Sequence, residues 1–411
     1  MQLKNPISHS GSRPVQNLLR LEEPADPKDG PPNLRAFLEL GFRPLYMAGT
    51  FWALVAVALW IYAPQVLTGP LNGVAWHAHE MLWGFIATIA VGFLMTAGTN
   101  WTGINPLQGR ALALACALWV TARAGYLAPG DAAFWVAMTA ELAFFLLASA
   151  AMMRAVVVSK NSRNYAVPGL LAALGGIDAL YLLTARAGDY ALLMQRFNAG
   201  ITVMALIALL IGRRVIPFFA MRAVPGLSIP KHTETGWVQL GACAVAAVGL
   251  LLGVPWLSAL ALGLAGSLAL VQLISWKPLA VRANALLWIL YVGFGCIGLG
   301  LLLAALTTAG VDLPRVLAVH VIAVAGFSVL ILGMVTRTAL GHLGRPLATD
   351  RTMRTSYWLM LAAVGLRLLA IAPLWAPTVA STLLQLAAAA WVGALGLYLW
   401  QFVPMLIRPR L

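Results

Sequence analysis

The chain has 411 residues, of which 61% are hydrophobic and only 10% are charged. A soluble domain has roughly a quarter of its residues charged, so this composition excludes an ordinary soluble protein. The formal net charge is +14, but the lysines and arginines cluster in short loops between apolar segments. That distribution is typical of a membrane protein and argues against nucleic acid as a partner. We therefore predict an all-α, polytopic integral membrane protein whose surroundings are the lipid bilayer.

The predicted elements begin after a polar tail. Residues 1–36 include the stretch RLEEPADPKDGPPN and are expected to form a disordered cytoplasmic tail. Residues 37–405 are expected to form a single transmembrane domain of about twelve helices, followed by a short cytoplasmic tail at 406–411. A helix needs roughly 20 residues to cross the apolar core of a bilayer. The predicted spans are 43–63, 76–97, 110–127, 132–153, 166–185, 197–212, 237–253, 257–275, 284–305, 315–335, 356–372 and 378–402.

The charges in the connecting loops predict the orientation of these spans. The connections between successive spans fall into two sets that alternate along the chain. One set contains only two basic residues, Arg186 and Arg196, whereas every connection of the other set carries lysine or arginine. Because basic loops stay on the cytoplasmic side, both termini are predicted to be cytoplasmic. The pair of spans separated only by Val254, Pro255 and Trp256 is the least certain division. Merging the two would destroy the charge alternation, which favours twelve spans.

The cysteine pattern excludes several kinds of site. Cys116, Cys243 and Cys296 each stand alone inside an apolar run, so neither a thiolate metal site nor a disulfide framework is indicated. The sequence also has no CxxCH motif for c-type haem and no flavin motif. The redox partner is therefore unknown at this stage.

The most unusual stretch is WHAHEM at residues 76–81, which carries His77, His79 and Glu80 at the predicted outer end of the second span. His320 is placed about two turns below the same surface, in the tenth span. Ionisable residues inside a bilayer are costly and are candidates for a functional site. Four further embedded residues fall near or outside the middle of their spans: Arg123, Glu141, Asp178 and Arg367.

Helical spacing separates the two histidines of this stretch. His77 and Glu80 are three residues apart and share a face, whereas His79 lies about 200 degrees from His77. On a regular helix the two imidazoles cannot bind one ion, so either the segment is not yet helical at His77 or the two histidines serve different centres. Glu80 is expected to accept a hydrogen bond from the ring of His77 and orient it.

The kind of ligand follows from the residue types. Neutral imidazole is a good ligand for haem iron or copper. Arg123 and Arg367 lie at a depth where they could clamp the carboxylates of a haem. On the inner side of the membrane, His342 is the one further candidate metal ligand, whereas His9 and His232 are expected to be solvated.

Several stretches resemble the NnrS family of bacterial membrane proteins. They are FRPLYMAG (42–49), WHAHEMLWGF (76–85), GFLMTAGTNWTG (92–103), RRVIPFF (213–219) and RTALGHLGRPL (337–347). The resemblance covers nearly the whole chain after the tail. It implies a twelve-span protein of the bacterial inner membrane that carries haem, here of the b type, and copper. The implied role is tolerance of nitric oxide (nitrosative stress) alongside denitrification, with nitric oxide as the partner.

The assignment of histidines to metals stays open at the level of sequence. We favour His320 with either His77 or His79 on haem iron, and the remaining histidine of that pair on copper. The placement is similar to that in haem–copper oxidases. Those enzymes, however, need six core histidines including a pair on the seventh span, which has none here. A complete binuclear oxidase site is therefore excluded.

Two other functions remain as alternatives. Twelve spans and buried Arg and Glu residues would also suit a secondary transporter for an anion or a small metabolite. Such a transporter would purify without colour. A structural or signalling protein without a cofactor is the third possibility.

Whether nitric oxide is turned over is also open. If it is, the chain is a haem-dependent oxidoreductase acting on nitric oxide, with catalytic residues still unknown.

Overall fold

The computed structural model describes residues 30–69 and 71–411, so most of the predicted tail lies outside the described residues. Every regular element in the described part is helical, which confirms the predicted all-α class. Twelve long helices follow one another along the chain. They are α1 Phe42–Tyr62, α2 Gly73–Thr102, α3 Gly109–Leu127, α4 Asp131–Val158, α5 Ala166–Ala187, α6 Tyr190–Ala223, α7 Thr233–Leu252, α8 Pro255–Ser275, α9 Ala285–Thr308, α10 Arg315–His342, α11 Arg351–Ile371 and α12 Pro377–Leu406.

Eleven of these helices are long and apolar enough to cross a membrane by length and composition. The twelfth, α3, has 19 residues and carries Arg110 and Arg123, so its composition alone does not indicate a span. Each of the twelve predicted spans nevertheless corresponds to one helix, including the doubtful pair α7 and α8. These helices indicate a multi-pass membrane protein. The cytoplasmic position of the termini stays a prediction.

Burial separates central from peripheral helices. In the most apolar 18-residue segment of each helix, 83% of the residues of α2 and 72% of those of α6 are buried, but only 22% of those of α11. The helix that carries WHAHEM therefore runs through the centre of the bundle. Both central helices are longer than predicted, because hydropathy detects only the apolar middle of a helix. α6, for example, extends to 34 residues and is capped by the side chain of Asp189, which accepts from the backbone N–H of Leu192.

Two helices contain a π-helical stretch directly after a histidine. In α2 the stretch is Glu80–Ala87, which follows His79. In α10 it is Val321–Ser328, which follows His320. Both stretches end beside a hydroxyl that donates to the carbonyl five residues earlier: Thr88 to Trp83 at 3.1 Å, and Ser328 to Ala323 at 2.8 Å. π-Helical turns are rare and are frequent at functional sites, so they mark the first halves of α2 and α10.

The described ends of the chain meet at one end of the bundle. A short helix, Leu34–Phe37, is capped by the side chain of Asn33. The backbone N–H of Asn33 donates to the carbonyl of Ile407 at 2.9 Å, and that of Leu411 donates to Leu343 at 3.2 Å. The end of the predicted tail thus packs against the last residues of the chain.

Candidate functional site

His79 is the centre of a fully buried cluster of acidic side chains. Its ring nitrogen Nδ1 lies 2.9 Å from Oε1 of Glu80. The other nitrogen, Nε2, lies 3.0 Å from Oδ1 of Asp178 and 3.2 Å from Oε2 of Glu141. These residues come from α2, α4 and α5, so the imidazole joins three helices. We call Glu80, Glu141, Asp178 and His79, together with Arg123, the carboxylate cluster.

Arg123 bridges two of these carboxylates from α3. Its Nη1 donates to Oε2 of Glu80 at 2.7 Å, and its Nη2 pairs with Oε1 of Glu141. The indole of Trp52 on α1 donates to the same oxygen of Glu80. A buried arginine is stable only when its charge is compensated. These contacts explain how α3 can pack in the bundle with an arginine that is 3% exposed.

The backbone at Gly84 makes room for this bridge. A Cβ atom at that position would lie 2.3 Å from Nη1 of Arg123 and 2.6 Å from Oε2 of Glu80. Neither group can move away without breaking the ion pair. Gly84 belongs to the π-helical stretch of α2, one turn beyond Glu80. The lack of a side chain there is therefore a requirement of the carboxylate cluster.

The charges of the carboxylate cluster do not balance by themselves. Three carboxylates and one guanidinium leave a net charge of −2 when the imidazole is neutral. An uncompensated buried charge is strongly unfavourable, so protons or a bound cation must supply positive charge. Oδ2 of Asp178 is buried and lacks a hydrogen-bond partner within the described part of the chain. Oε2 of Glu141 has Nε2 of His79 as its neighbour at 3.2 Å. Both oxygens have lone pairs for a cation.

The spacing of the donor atoms suits a metal ion. Ligand atoms of His79, Glu141 and Asp178 lie within 4.8 Å of one another. Donors about 2.1 Å from a common ion lie roughly 3.0 Å apart at octahedral angles and roughly 3.4 Å apart at tetrahedral angles. The observed separations of 3.0 and 3.2 Å from Nε2 of His79 fall in this range and are also those of hydrogen bonds, so the same atoms can share protons or hold an ion. Glu80 would then be the acceptor that orients the ligating ring through Nδ1.

His77 belongs to a second group of residues. Its ring stacks on Trp60, with centroids 5.1 Å apart and planes 9° from parallel. Its charged neighbours are His320 of α10 and Arg367 of α11, both close enough to interact with it electrostatically. Nδ1 of His77 is buried without a hydrogen-bond partner among the described residues. We call His77, His320 and Arg367 the histidine pair site.

The hydrogen bonding of His320 prepares its ring as a ligand. Nδ1 lies 2.8 Å from the carbonyl oxygen of Val316. Because a carbonyl can only accept, Nδ1 carries the proton and the neutral ring presents a lone pair at Nε2. A ring nitrogen fixed in this way is typical of metal-binding histidines. Arg367 takes part in none of the ion pairs found among residues 30–69 and 71–411, so its charge is available to an anionic group.

Residues 36–410 match the family described as NnrS protein. The chain belongs to the NnrS family. This confirms the resemblance seen in the sequence and indicates a protein of the nitric oxide response. A comparison with the curated proteins finds no match.

The structure separates the predicted site residues of this NnrS chain into two groups. His79, Glu80 and Arg123 lie in the carboxylate cluster. His77, His320 and Arg367 lie in the histidine pair site. The two histidines of WHAHEM therefore lie in different groups of residues, and a separate centre at each stays a prediction.

Two expected contacts are wrong. Glu80 is bonded to His79 rather than to His77, because its carboxylate is drawn toward Arg123 and Trp52 on that side of α2. The guanidinium of Arg123 is not free to bind a haem carboxylate, because its two terminal nitrogens already bind Glu80 and Glu141. Only Arg367 keeps that role.

His342 is not brought near the other candidates. It is the last residue of α10, and its ring lies 5.5 Å from that of Phe42. It is not part of the metal-binding group found in the described chain. Glu141 and Asp178, by contrast, stand out in the sequence only as embedded acidic residues. The single signal for their role is that each is a carboxylate inside an apolar run.

Proposed function

We propose that this NnrS chain is a multi-pass protein of the bacterial inner membrane that holds haem b at the histidine pair site and binds nitric oxide there. The observation that carries the proposal is the hydrogen bond from His320 to Val316. It leaves the other ring nitrogen of His320 unprotonated, next to His77 and Arg367. Two imidazoles and one unpaired guanidinium are the groups that a haem with its carboxylates requires.

The two histidines are held differently, and this difference supports a role in binding a gas. His320 is anchored to its own helix backbone, whereas Nδ1 of His77 has no hydrogen-bond partner in the described chain. His77 would therefore be the more weakly held of the two ligands. A bound ferrous haem would supply the iron to which nitric oxide binds. The chain's own part is to hold the ring of His320, stack His77 on Trp60 and neutralise a carboxylate with Arg367.

The second expected metal, copper, is proposed at His79, Glu141 and Asp178. One imidazole and two carboxylates are nitrogen and oxygen donors, which suit divalent copper better than monovalent copper. The net charge of −2 in the cluster also favours a divalent ion. A bound dication would neutralise this charge.

The transporter alternative loses one of its supports. Arg123 would be a natural residue to grip an anionic substrate, but two carboxylates already occupy its terminal nitrogens. No other observation in the described chain favours transport over cofactor binding.

Cofactor content tests the proposal. The protein is purified from cells supplied with haem and copper, and haem and metals are measured for wild type and three variants. We expect His320→Ala to lose haem and keep the metal, and His79→Ala to lose the metal and keep haem. His232→Ala is the control. The ring of His232 lies just before α7 and contacts Ser275, away from both sites, so this variant should keep both haem and metal. A colourless, metal-free wild type would overturn the proposal and favour transport.

A further inference from the structure

Three arginines lie together at the end of the bundle where α6 finishes. Arg213 and Arg214 belong to the last part of α6, and Arg163 precedes α5 in the short helix Ser162–Asn164. Each of the three interacts electrostatically with the other two. None of them takes part in an ion pair among residues 30–69 and 71–411. We call Arg163, Arg213 and Arg214 the arginine cluster, and neither of the two sites described above uses it.

Arg214 is held in place by amide side chains. Its Nη1 donates to Oδ1 of Asn164 at 2.9 Å, and Asn164 is only 3% exposed. Asn164 donates to Oδ1 of Asn161 at 3.2 Å, and Asn161 donates to the carbonyl oxygen of Trp101 at 2.6 Å. This chain of hydrogen bonds fixes the guanidinium near the end of α2 without supplying a negative charge.

Arg213 is held against α7. Its guanidinium lies 5.1 Å from the centre of the Trp237 ring. It fills the space beside Gly236, because a Cβ atom on that glycine would overlap Nη1 of Arg213. Nε of Arg213 is buried and has no hydrogen-bond partner within the described part of the chain. A positioned guanidinium with an unused donor indicates that an acceptor binds beside it.

The arginine cluster lacks negative charge of its own. A guanidinium keeps its proton in proteins, so the three side chains repel one another. Glu234 lies in the first turn of α7, but it is exposed and belongs to none of the ion pairs found in the described residues. The oxygens of a phosphate group match the planar set of guanidinium donors. The charge and the donors of the cluster therefore fit a phosphate group.

The surface beside the cluster is aromatic and exposed. Trp237, whose ring lies against the guanidinium of Arg213, is 54% exposed. Phe218 is 53% exposed and follows Arg214 by four residues, so it lies on the same face of α6. Both α6 and α7 are long and apolar enough to cross a membrane. Hydrocarbon chains can therefore cover these two rings while a head group reaches the arginines.

We propose that the arginine cluster binds the phosphate of an anionic phospholipid, with the acyl chains lying over Trp237 and Phe218. Basic pockets between membrane helices bind such head groups. The phosphate supplies negative charge to the cluster and accepts hydrogen bonds from Arg213 and Arg214. Free phosphate offers the same oxygens but leaves both rings uncovered, which favours the lipid. The inference goes beyond the proposed function, because it needs neither haem nor copper.

Native mass spectrometry of the full chain in detergent tests the inference. The protein is titrated with phosphatidylglycerol or with phosphatidylcholine of the same acyl chains, and the lipid bound per protein molecule is counted. Gly236→Ala keeps every charge but displaces the guanidinium of Arg213. Gly241→Ala on the same helix is its matched control, since a Cβ there meets nothing within 4 Å. Inorganic phosphate is added as a competitor, which separates a lipid site from a site for free phosphate.

A second pair of variants tests the charge. Arg213→Gln with Arg214→Gln removes two charges from the cluster. Lys277→Gln with Arg282→Gln removes the same charge from the connection between α8 and α9, and is the control. Circular dichroism of each sample measures folding. Gly236→Ala, which adds one methyl group, decides the question if the double arginine variant does not fold.

We expect wild type and both controls to retain phosphatidylglycerol in preference to phosphatidylcholine. Gly236→Ala should weaken the binding of phosphatidylglycerol about tenfold, as loss of a charge-assisted hydrogen bond predicts. The double arginine variant should bind both lipids alike. No preference in wild type, unchanged binding by Gly236→Ala, or an equal loss in the two double variants would overturn the inference. Competition by inorganic phosphate as effective as that by phosphatidylglycerol would also overturn it, because the site would then recognise free phosphate.

Discussion

His79 and Asp178 are 99 residues apart in sequence, yet Nε2 of the imidazole lies 3.0 Å from Oδ1 of the carboxylate. The contact joins α2 to α5. With Arg123 from α3 and Glu141 from α4, the carboxylate cluster ties four consecutive helices together inside the bundle. In an apolar environment, removing one member of such a network leaves the charge of its partner without compensation. Its removal should therefore be costly one residue at a time and cheaper in pairs.

The bridge between Arg123 and Glu141 gives the first prediction. Arg123→Met should destabilise the protein by about 3–5 kcal/mol, because it leaves buried carboxylates uncompensated. The double variant Arg123→Met with Glu141→Gln should lose less than the two single variants added together. Thermal unfolding in detergent measures both effects. Arg186→Met, which breaks the exposed pair with Asp131, is the control and should change little. Strictly additive effects would show that the two groups are not coupled.

Gly84 gives the second prediction. Gly84→Ala places a methyl group against Arg123 and Glu80, and should destabilise the protein by about 3 kcal/mol. It should also lower the content of the metal proposed at His79. Gly176→Ala on α5 is the matched control, since a Cβ there meets nothing within 4 Å. That change should be neutral or stabilise by up to about 1 kcal/mol. Similar stabilities for both variants would contradict the tight approach at Gly84.

The histidine pair site gives the third prediction. His77→Gly should remove one of the two proposed haem ligands and open a space beside Trp60, while the hydrogen bond from His320 to Val316 stays intact. We expect haem to be retained and its spectrum to change. Added imidazole should restore the original spectrum. His79→Gly should leave the spectrum unchanged. A spectral change in His79→Gly alone would mean that His79 is the haem ligand.

The orientation of the helices gives the fourth prediction. Reporter fusions after residue 411 and within the loop near Lys231 should be active only as cytoplasmic reporters. A fusion in the segment before Gly73 should be active only as an external reporter. The decisive position is near Gly130, after α3, because α3 is not among the eleven helices that composition marks as spans. A cytoplasmic signal there would show that α3 does not cross the membrane.

The helices could be predicted from the sequence because long apolar runs have few alternatives in a bilayer. Their ends could not, since α6 continues through polar residues that hydropathy treats as loop. The separation of His77 from His79 followed from helical geometry alone. The partners of His79 did not, because Glu141 and Asp178 come from other helices and only tertiary packing brings them to one ring. The π-helical stretches were likewise unpredicted, since no local sequence rule distinguishes them from α-helix.

The most direct measurement is the visible spectrum of the purified, reduced protein before and after addition of nitric oxide, for wild type and His320→Ala. We predict a haem Soret band in wild type that shifts when nitric oxide is added, and no such band in His320→Ala. A wild-type protein supplied with haem that shows no Soret band, or one that nitric oxide leaves unchanged, would contradict nitric oxide binding at the histidine pair site.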